Sequence, residues 1–474
     1  MNQTTKQYID TFFGQISIVV PAHRKQLFEE FVQNETNIKA VKIIQETQKT
    51  MTEQWRIKNI IQDIIDTPLV IPNATVGKPY KAILDLCKLG GMEEDNIVFT
   101  EFENLEHLGL AYDNESESIN GMPTQSGDFK ISMKFRVRDE ADDSVLNEKR
   151  IPLIINADPK SLWKDIPSTQ QEDNYWKEDK AEAFEKLGDR YIVVASKRGR
   201  SHANVGSFRD DDFAFKHFPD TGWNLVCVAD GAGSAKFSRK GSKLACDGII
   251  DYFSGNLTAT SFAEFDNLLL EHNAGTGEDT HKKINLFLYN NLGNAAFTVH
   301  KQLEAFATDT QANLKDFHTT LIFVLFKKYD FGYAILSFGV GDCPIGLLNK
   351  DLTEIKLMNW LDVGEYGGGT RFITMPEIFS SNKFSTRLGF KLVDDFSYLM
   401  LMTDGIYDPK FVVEANLEKI ENWQAFLDDL GGNNEEKITV AFNPENTKIA
   451  NQLSSWMDFW SSGNHDDRTL AVIF

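Results

Sequence analysis

The chain has 474 residues, more than one ordinary core accommodates, so two or three domains are expected. Its 42% hydrophobic and 25% charged content are globular values, and a net charge of −21 opposes binding to nucleic acid or anionic lipid. No run approaches the ~20 apolar residues of a membrane helix, and residues 1–23 lack the basic flank and apolar length of a signal peptide. Cys87, Cys227, Cys246 and Cys343 are scattered without a CxxC pair, which reads as buried thiols in a reducing compartment and places the protein in the cytoplasm.

Residues 1–66 are expected to be a helical segment, from Phe12, Ile16, Val19 and Val20 and again from Ile57, Ile60, Ile61, Ile64 and Ile65 at helical spacing. Over 67–157 short β-branched runs alternate with turn residues; along GDFKISMKFRVRD, Phe129, Ile131, Met133, Phe135 and Val137 alternate with polar positions, the period of a half-buried strand. This is the pattern of a small all-β sandwich. VGKPY, INGMPTQSGDFKI and IINADP resemble the immunoglobulin-like or cadherin-like repeats appended to many bacterial proteins, which implies binding or spacing. Residues 158–188 are polar and mixed in charge, end helix-like and read as a linker, with Trp163 and Trp176 placed to dock on a neighbouring domain.

From 189 to 474 strands and helices come in blocks. YIVVASKRG, DFAFKHF and WNLVCVADG read as strands and RKGSKLACDGIIDYF as a helix. Ile284, Leu288, Leu292, Ala295, Val299 and Leu303 mark the stripe of one long helix. TTLIFVLFKK, GYAILSFGVGD and IGLLNKDLTEIKLM follow as a β-meander, and FSTRLGFKLVDDFSYLMLMTDG adds two strands. Two helices, NLEKIENWQAFLDDLGG and ENTKIANQLSSWMDFWSS, precede the last strand, RTLAVIF. Meanders interrupted by helix pairs favour an α+β class with antiparallel sheets. Neither GxxxxGK[ST] nor GxGxxG occurs between strand and helix, so nucleotide binding has no motif.

Four Asp-centred signatures recur in this half, three of them read as strand ends: Asp210-Asp211, Asp230-Gly231, Asp404-Gly405 and Asp466-Asp467. A carboxylate against a buried apolar strand is costly unless compensated, so their repetition suggests one cluster around divalent cations. Many Asp with few His or Cys suit Mg2+ or Mn2+ and argue against zinc. Two such cations can deprotonate a bridging water for in-line attack on phosphate.

At these residues the chain resembles the metal-dependent protein phosphatases of the protein phosphatase 2C type, over about 191–474. SHANVGSFRDDDFAF, VCVADGAGS, HTTLIFVLF, LSFGVGDCPIGLL, LMLMTDGIYD and HDDRTLAVIF resemble six motifs of that family, in its order. The resemblance implies an αββα sandwich of two antiparallel sheets flanked by helices. It also implies hydrolysis of phosphoserine or phosphothreonine on a protein substrate by a metal-bridging hydroxide. Two Mn2+ or Mg2+ ions follow, with Asp230 bridging them, the Gly231 carbonyl helping one, Asp404 and Asp466 binding the other, Asp210 and Asp211 binding directly or through waters, and Asp342 serving a third. Thr319 and Thr320 would support the site from a strand. Relatives of this bacterial branch often accompany serine/threonine kinases or von Willebrand A-type proteins, which implies such a partner.

This chain departs from the pattern in several places. Asp210-Asp211 replaces the usual Glu-Asp or Gln-Asp, Asp212 leaves that pair uncertain by one position, and Asp467 replaces an Asn. Gly206 stands where many members carry a phosphate-gripping Arg; Arg209, Arg198, Arg200 or His202 are the substitutes for substrate binding. Ala232 occupies the place of a general-acid His, leaving a metal-bound water or His202 to protonate the leaving group. His465 reads as a turn residue, His318 as packing or capping, Arg239 and Lys243 as lining a helix face, and Trp456, Phe459 and Trp460 as core. Gly364, Gly367, Gly368 and Gly369 imply a mobile loop where the family carries its flap. The departures motivate a second function, a pseudophosphatase acting as a signalling adaptor; a metal-dependent nuclease is disfavoured by the acidic surface.

Overall fold

The computed structural model describes residues 3–89, 96–169, 173–362 and 369–474. Two compact units divide the chain, Met1–Leu162 and Trp163–Phe474.

The first unit begins with helices α1 (Gln3–Gln15), α2 (Lys25–Gln33) and α3 (Glu35–Asp66). The Asn34 side chain accepts the Thr36 N–H and so caps α3, as its position ahead of an apolar-periodic run predicts. Seven strands follow: β1 (Ala74–Thr75), β2 (Tyr80–Ile83), β3 (Ile97–Glu103), β4 (Leu110–Asp113), β5 (Ser118–Gly121), β6 (Gly127–Val137) and β7 (Asn147–Asn156). They form a four-stranded sheet, β1-β7-β6-β3, and a three-stranded one, β2-β5-β4. Ile131, Met133, Phe135 and Val137 are buried as the alternation requires, and share a cluster with Ile119 of β5 and Ile60 and Ile64 of α3. The buried Lys149 of β7 donates to the carbonyls of Ile64, Ile65 and Thr67 at 2.9, 2.8 and 2.6 Å, satisfying the acceptors at the end of α3.

In the second unit the elements are β8 (Lys180–Leu187), β9 (Arg190–Lys197), α4 (Arg200–Val205), β10 (Asp212–Phe218), β11 (Trp223–Ala229), α5 (Ser238–Asn256), α6 (Ala259–Ala274), α7 (Thr280–Leu288), α8 (Asn294–Asp309), β12 (Leu321–Tyr329), β13 (Gly332–Val340), β14 (Ile345–Asn349), β15 (Ile355–Leu357), α9 (Glu377–Ser380), β16 (Leu388–Val393), β17 (Phe396–Met402), α10 (Asp404–Phe411), α11 (Ile420–Leu430), α12 (Ile449–Trp456) and β18 (Arg468–Ile473). A five-stranded sheet has the order β10-β11-β12-β13-β16 and a six-stranded one β15-β14-β17-β18-β9-β8, all pairs antiparallel. One apolar cluster mixes Val226, Ile322 and Ile335 of the first sheet with Val194, Leu399 and Ala471 of the second. A second joins Cys227 and Phe323 to α5–α8, and a third joins Val193 and Met400 to α10–α12.

Three expectations are corrected here. The segment 180–187, taken as the helix-like end of a linker, is strand β8; Gly188 at φ +65° and Asp189 make a two-residue turn into β9, the Gly-Asp hairpin signal. The long helix is interrupted by a π-turn at Tyr289–Gly293, yet its stripe stays buried from Ile284 to Leu303. The meander is split, because β13 belongs to the five-stranded sheet and β14 to the six-stranded one.

Candidate active site

Of the four Asp signatures, Asp230 and Asp404 follow strands, whereas Asp210-Asp211 and Asp466-Asp467 precede them. Antiparallel pairing explains why: neighbouring strands present opposite chain ends to a common edge. Asp212 pairs with Ala229, Val228 with Ile322, and Leu321 with Val340, which sets Asp210, Asp211, Asp230, Thr320 and Asp342 at one edge of the five-stranded sheet. In the other sheet Met402 pairs with Leu470 and Arg468 with Lys197, which gathers Asp404, Asp466, Asp467 and the turn into α4.

Asp211 ties the two sheets. Its Oδ2 accepts from Thr403 Oγ1 at 2.9 Å and from Thr469 Oγ1 at 2.7 Å. Burial, then the Asp467 charge, pushes Asp211 up to about 8 and Asp210 up to about 6. Burial also raises Asp230, helped by Asp404, Asp211, Asp466 and Asp342, and raises Asp404, helped by Asp466, Asp342 and Asp211. Asp230 and Asp404 act on each other, so the two acids titrate together. Asp342 and Asp466 are shifted upward by burial as well; Thr370 Oγ1 donates to Asp342 at 2.7 Å. The buried oxygens Asp210 Oδ1 and Asp404 Oδ1 have no hydrogen-bond partner.

Around Asp230, the Thr320 hydroxyl accepts its N–H at 2.9 Å, and the Thr319 hydroxyl donates to its carbonyl at 2.8 Å. Gly231 has a packing reason to be glycine: a Cβ there would lie 2.6 Å from the Asp210 carbonyl oxygen.

His202 and Asp467 complete the picture. His202 Nδ1 lies 3.0 Å from Asp467 Oδ1, its Nε2 lies 3.8 Å from Asp210 Oδ2, and the three side chains bring ligand atoms within 4.8 Å of one another. Among the described residues no other trio of His, Cys, Asp or Glu is drawn that tightly together. Burial opposes charge on His202, but Asp467 and Asp210 outweigh it and raise the imidazole to about 10. Asp467 also takes the N–H groups of Gly199 and Asp210, and its carboxyl is held below the usual range despite burial. In the sequence the signal for this role of Asp467 is the doubled acid of HDDR.

The arginine substitutes sit elsewhere than expected. Arg209 is buried, with Nε donating to Glu178 O at 3.1 Å and Nη1 to Ser196 Oγ and Asp211 O at 2.7 Å each, so its guanidinium is committed to the scaffold and not presented to substrate. Arg198 is held by Ser207 O, Asp165 and Asp179. Gly206 closes α4 in the left-handed region at φ +71°, a conformation an Arg would adopt only under strain. Arg239 lies in the first turn of α5 but on its buried side, paired with Asp173 and stacked on Phe208, and its charge acts on Asp210. Lys243 is exposed and pairs with Asp247. His318 packs on Phe372 and bonds Thr374. His465 packs against Trp163 and Trp460, while Trp176 donates to Ser168.

Lys177, inside the presumed linker, was missed. Its Nζ donates to Asp211 O at 2.6 Å and to Asp212 Oδ2 at 3.1 Å. That pairing removes Asp212 from the acid cluster and leaves Asp210 and Asp211 as the pair facing it. Gly364, Gly367 and Gly368 of the anticipated flap lie outside the described residues.

The family model for protein phosphatase 2C matches residues 198–458, more than half of the chain. The chain belongs to the protein phosphatase 2C family. A search of curated proteins gave no match. Among solved structures the chain is similar to the serine/threonine phosphatase Stp1 from Staphylococcus aureus (15% identity, 61% of this chain and 96% of that one, TM-score 0.34). It is also similar to the catalytic domain of the phosphatase PstP in complex with two manganese ions (15% identity, 60% and 96%, TM-score 0.35) and to RsbX in complex with magnesium (13%, 62% and 98%, TM-score 0.32).

Proposed function

We propose that the second unit is a metal-dependent protein serine/threonine phosphatase. The observation that carries the reading is the convergence of Asp210, Asp211, Asp230, Asp342, Asp404 and Asp466 on one edge with two buried carboxylate oxygens left without partners. Mutual repulsion raises their proton affinities, and hard divalent cations remove that penalty; an all-oxygen donor set fits Mn2+ or Mg2+. Asp230, Asp404, Asp466 and the Gly231 carbonyl would hold such ions, with Asp210 and Asp211 alongside and Asp342 toward a third. When bound, the ions would supply an activated water and counter-charge for the phosphoryl group.

This chain's own residues do the rest. Thr319 and Thr320 fix the Asp230 backbone, and Thr403 and Thr469 fix Asp211. His202, kept protonated by Asp467, is the proton donor to the departing seryl or threonyl oxygen. Arg239 and His202 are the cations beside Asp210, and they set the field the phosphate meets. Arg209 and Lys177 position the acidic pair.

The architecture is read as the family's αββα sandwich, supported by the apolar cluster that mixes both sheets and by the two that join each sheet to its own helices. Residues 1–66 and 67–157 are a helical and an immunoglobulin-like module; the seven strands of the latter around a shared core support this, and the role is binding or spacing. A phosphorylated protein is the substrate, with a cognate kinase or von Willebrand A-type protein as partner. No helix among the described residues is long and apolar enough to cross a membrane. The cysteines are free, Cys227, Cys246 and Cys343 buried as expected and Cys87 exposed contrary to expectation, and free thiols support a cytoplasmic site of action.

The test is Mn2+-dependent hydrolysis of p-nitrophenyl phosphate and of a phosphothreonine peptide, lost in Asp230→Ala. Full activity in EDTA sinks the reading. The adaptor reading is favoured by Gly206 and the altered pair at Asp210, and is the outcome if calorimetric titration shows no Mn2+ binding.

A further inference from the structure

Away from the acid cluster lies a cavity of about 240 Å³ lined by six cationic side chains, Lys164, Lys180, Lys197, Arg198, Arg200 and Arg468. Among the described residues three carboxylates share its wall. They are already engaged: Asp165 and Asp179 hold Arg198 at 2.9 and 3.3 Å, and Asp458 holds Lys197 at 2.6 Å. Arg200 and Arg468 have no carboxylate within ion-pair distance among the described residues. Arg468 is only 4% exposed. Its Nη atoms spend themselves on neutral acceptors, the carbonyls of Met457 and Phe459 and the Ser461 hydroxyl. Its Nε has no partner, and neither has the buried Nε of Arg200. Burial and, after it, the nearby Arg200 act against the charge on Arg468 and outweigh the support it receives from Asp458 and Glu436.

A buried guanidinium without an ion-pair partner is costly, and a second, half-buried one beside it adds to that cost. In a protein of net charge −21 such a pocket runs against the overall field, so it is not a by-product of composition. The complement is a small oxyanion, which can take charge-assisted bonds from the accessible cations Arg200 and Lys180, with the buried charge of Arg468 behind them. The cavity lies below the ~300–1,000 Å³ of drug-sized ligands, which favours a phosphate group over a nucleotide.

We propose that this pocket is a phosphate-binding site, distinct from the acid cluster, with Arg200 as its principal donor and the buried charge of Arg468 behind it. Its location gives it a route to the cluster. Arg200 opens α4 two residues before His202, and Arg468 follows Asp467 directly, so the pocket walls are the flanks of the His202–Asp467 contact. The chemistry fits either free phosphate or a phosphorylated side chain of another protein. Neither depends on the phosphatase reading.

The experiment is calorimetric titration of the EDTA-treated full-length protein, in which divalent ions cannot hold the anion, with inorganic phosphate and with a phosphoserine tetrapeptide. Saturable binding of one equivalent is expected, weakened roughly tenfold or more in Arg200→Gln. Lys180→Gln, at the rim of the same cavity, weakens it less; it also covers the case in which Arg200→Gln misfolds. Tighter binding of the peptide than of phosphate assigns the site to a phosphorylated chain; equal or weaker binding assigns it to the free ion. Absence of saturable binding overturns the proposal. So does affinity retained in both variants, or affinity lost in His202→Gln while retained in Arg200→Gln.

Discussion

The imidazole Nδ1 of His202 lies 3.0 Å from Oδ1 of Asp467, and the same carboxylate receives the N–H groups of Gly199 and Asp210. One side chain at the start of β18 therefore binds the turn into α4, its first-turn histidine and the acidic pair before β10. The start of β18 is thereby tied at one buried point to the 199–210 region, remote from it in sequence.

Removing that point is expected to cost much of the domain's stability. Asp467→Ala strands two buried backbone donors and a charged histidine, a loss of about 3–5 kcal/mol by analogy with broken buried ion pairs. Asp467→Asn keeps one acceptor and restores the family's usual residue, so it is expected to lose less. Urea unfolding of the three proteins in EDTA checks the order; equal stability of wild type and Asp467→Ala contradicts it.

Proton binding sets the pH dependence of the metal-free protein. Asp211 is raised from 3.8 to about 8, so across that window the folded chain holds a proton the unfolded chain has released. His202 is raised from 6.5 to about 10, with the same consequence in its own window. Because the folded state binds more protons in both, stability falls as pH rises from about 6 to about 9. Cations compete with those protons, so the rise in Tm on adding Mn2+ grows over the same interval. Thermal scans with and without Mn2+ test both trends; a metal-free Tm that climbs with pH refutes the first.

Apart from β8, strands of the second unit were readable as short apolar or aromatic runs bounded by Gly, Asp or Pro, as in DFAFKHFP for β10 and WNLVCVADG for β11. The acids were readable because each interrupts such a run. What pattern alone did not reveal was non-local. Lys177 sits in a polar stretch whose composition says linker, and only the fold brings its ammonium to Asp211 O. Arg209 looked like an anion contact by its place beside the acidic pair, yet its side chain turns inward to Ser196 and Glu178. β8 was hidden because KAEAFEKL is rich in helix formers; pairing with β9 overrides that propensity.

Asp404→Asn separates metal chemistry from folding. It removes one of the mutually repelling carboxylates, so the metal-free variant is expected to melt higher than wild type near pH 8. The same variant is expected to gain little Tm from Mn2+ and to lose phosphatase activity by at least about a hundredfold, an effect of about 2.7 kcal/mol. A metal-free variant that melts lower than wild type shows that the carboxylate is needed for the fold itself.

Arg209→Met tests whether this arginine meets the substrate or the scaffold. It deletes donors to Glu178 O, Ser196 Oγ and Asp211 O, and the methionine fills the stem's volume without replacing them. Loss of charge-assisted bonds to buried acceptors is expected to destabilise by about 1.5–3 kcal/mol. Because Asp211 O loses a donor, Mn2+ affinity is also expected to fall. The KM for p-nitrophenyl phosphate, measured at saturating Mn2+ and at a temperature where the variant is folded, is expected to stay within about twofold of wild type, since uniform substrate binding is untouched. A KM raised tenfold with unchanged stability and Mn2+ affinity would return Arg209 to the substrate.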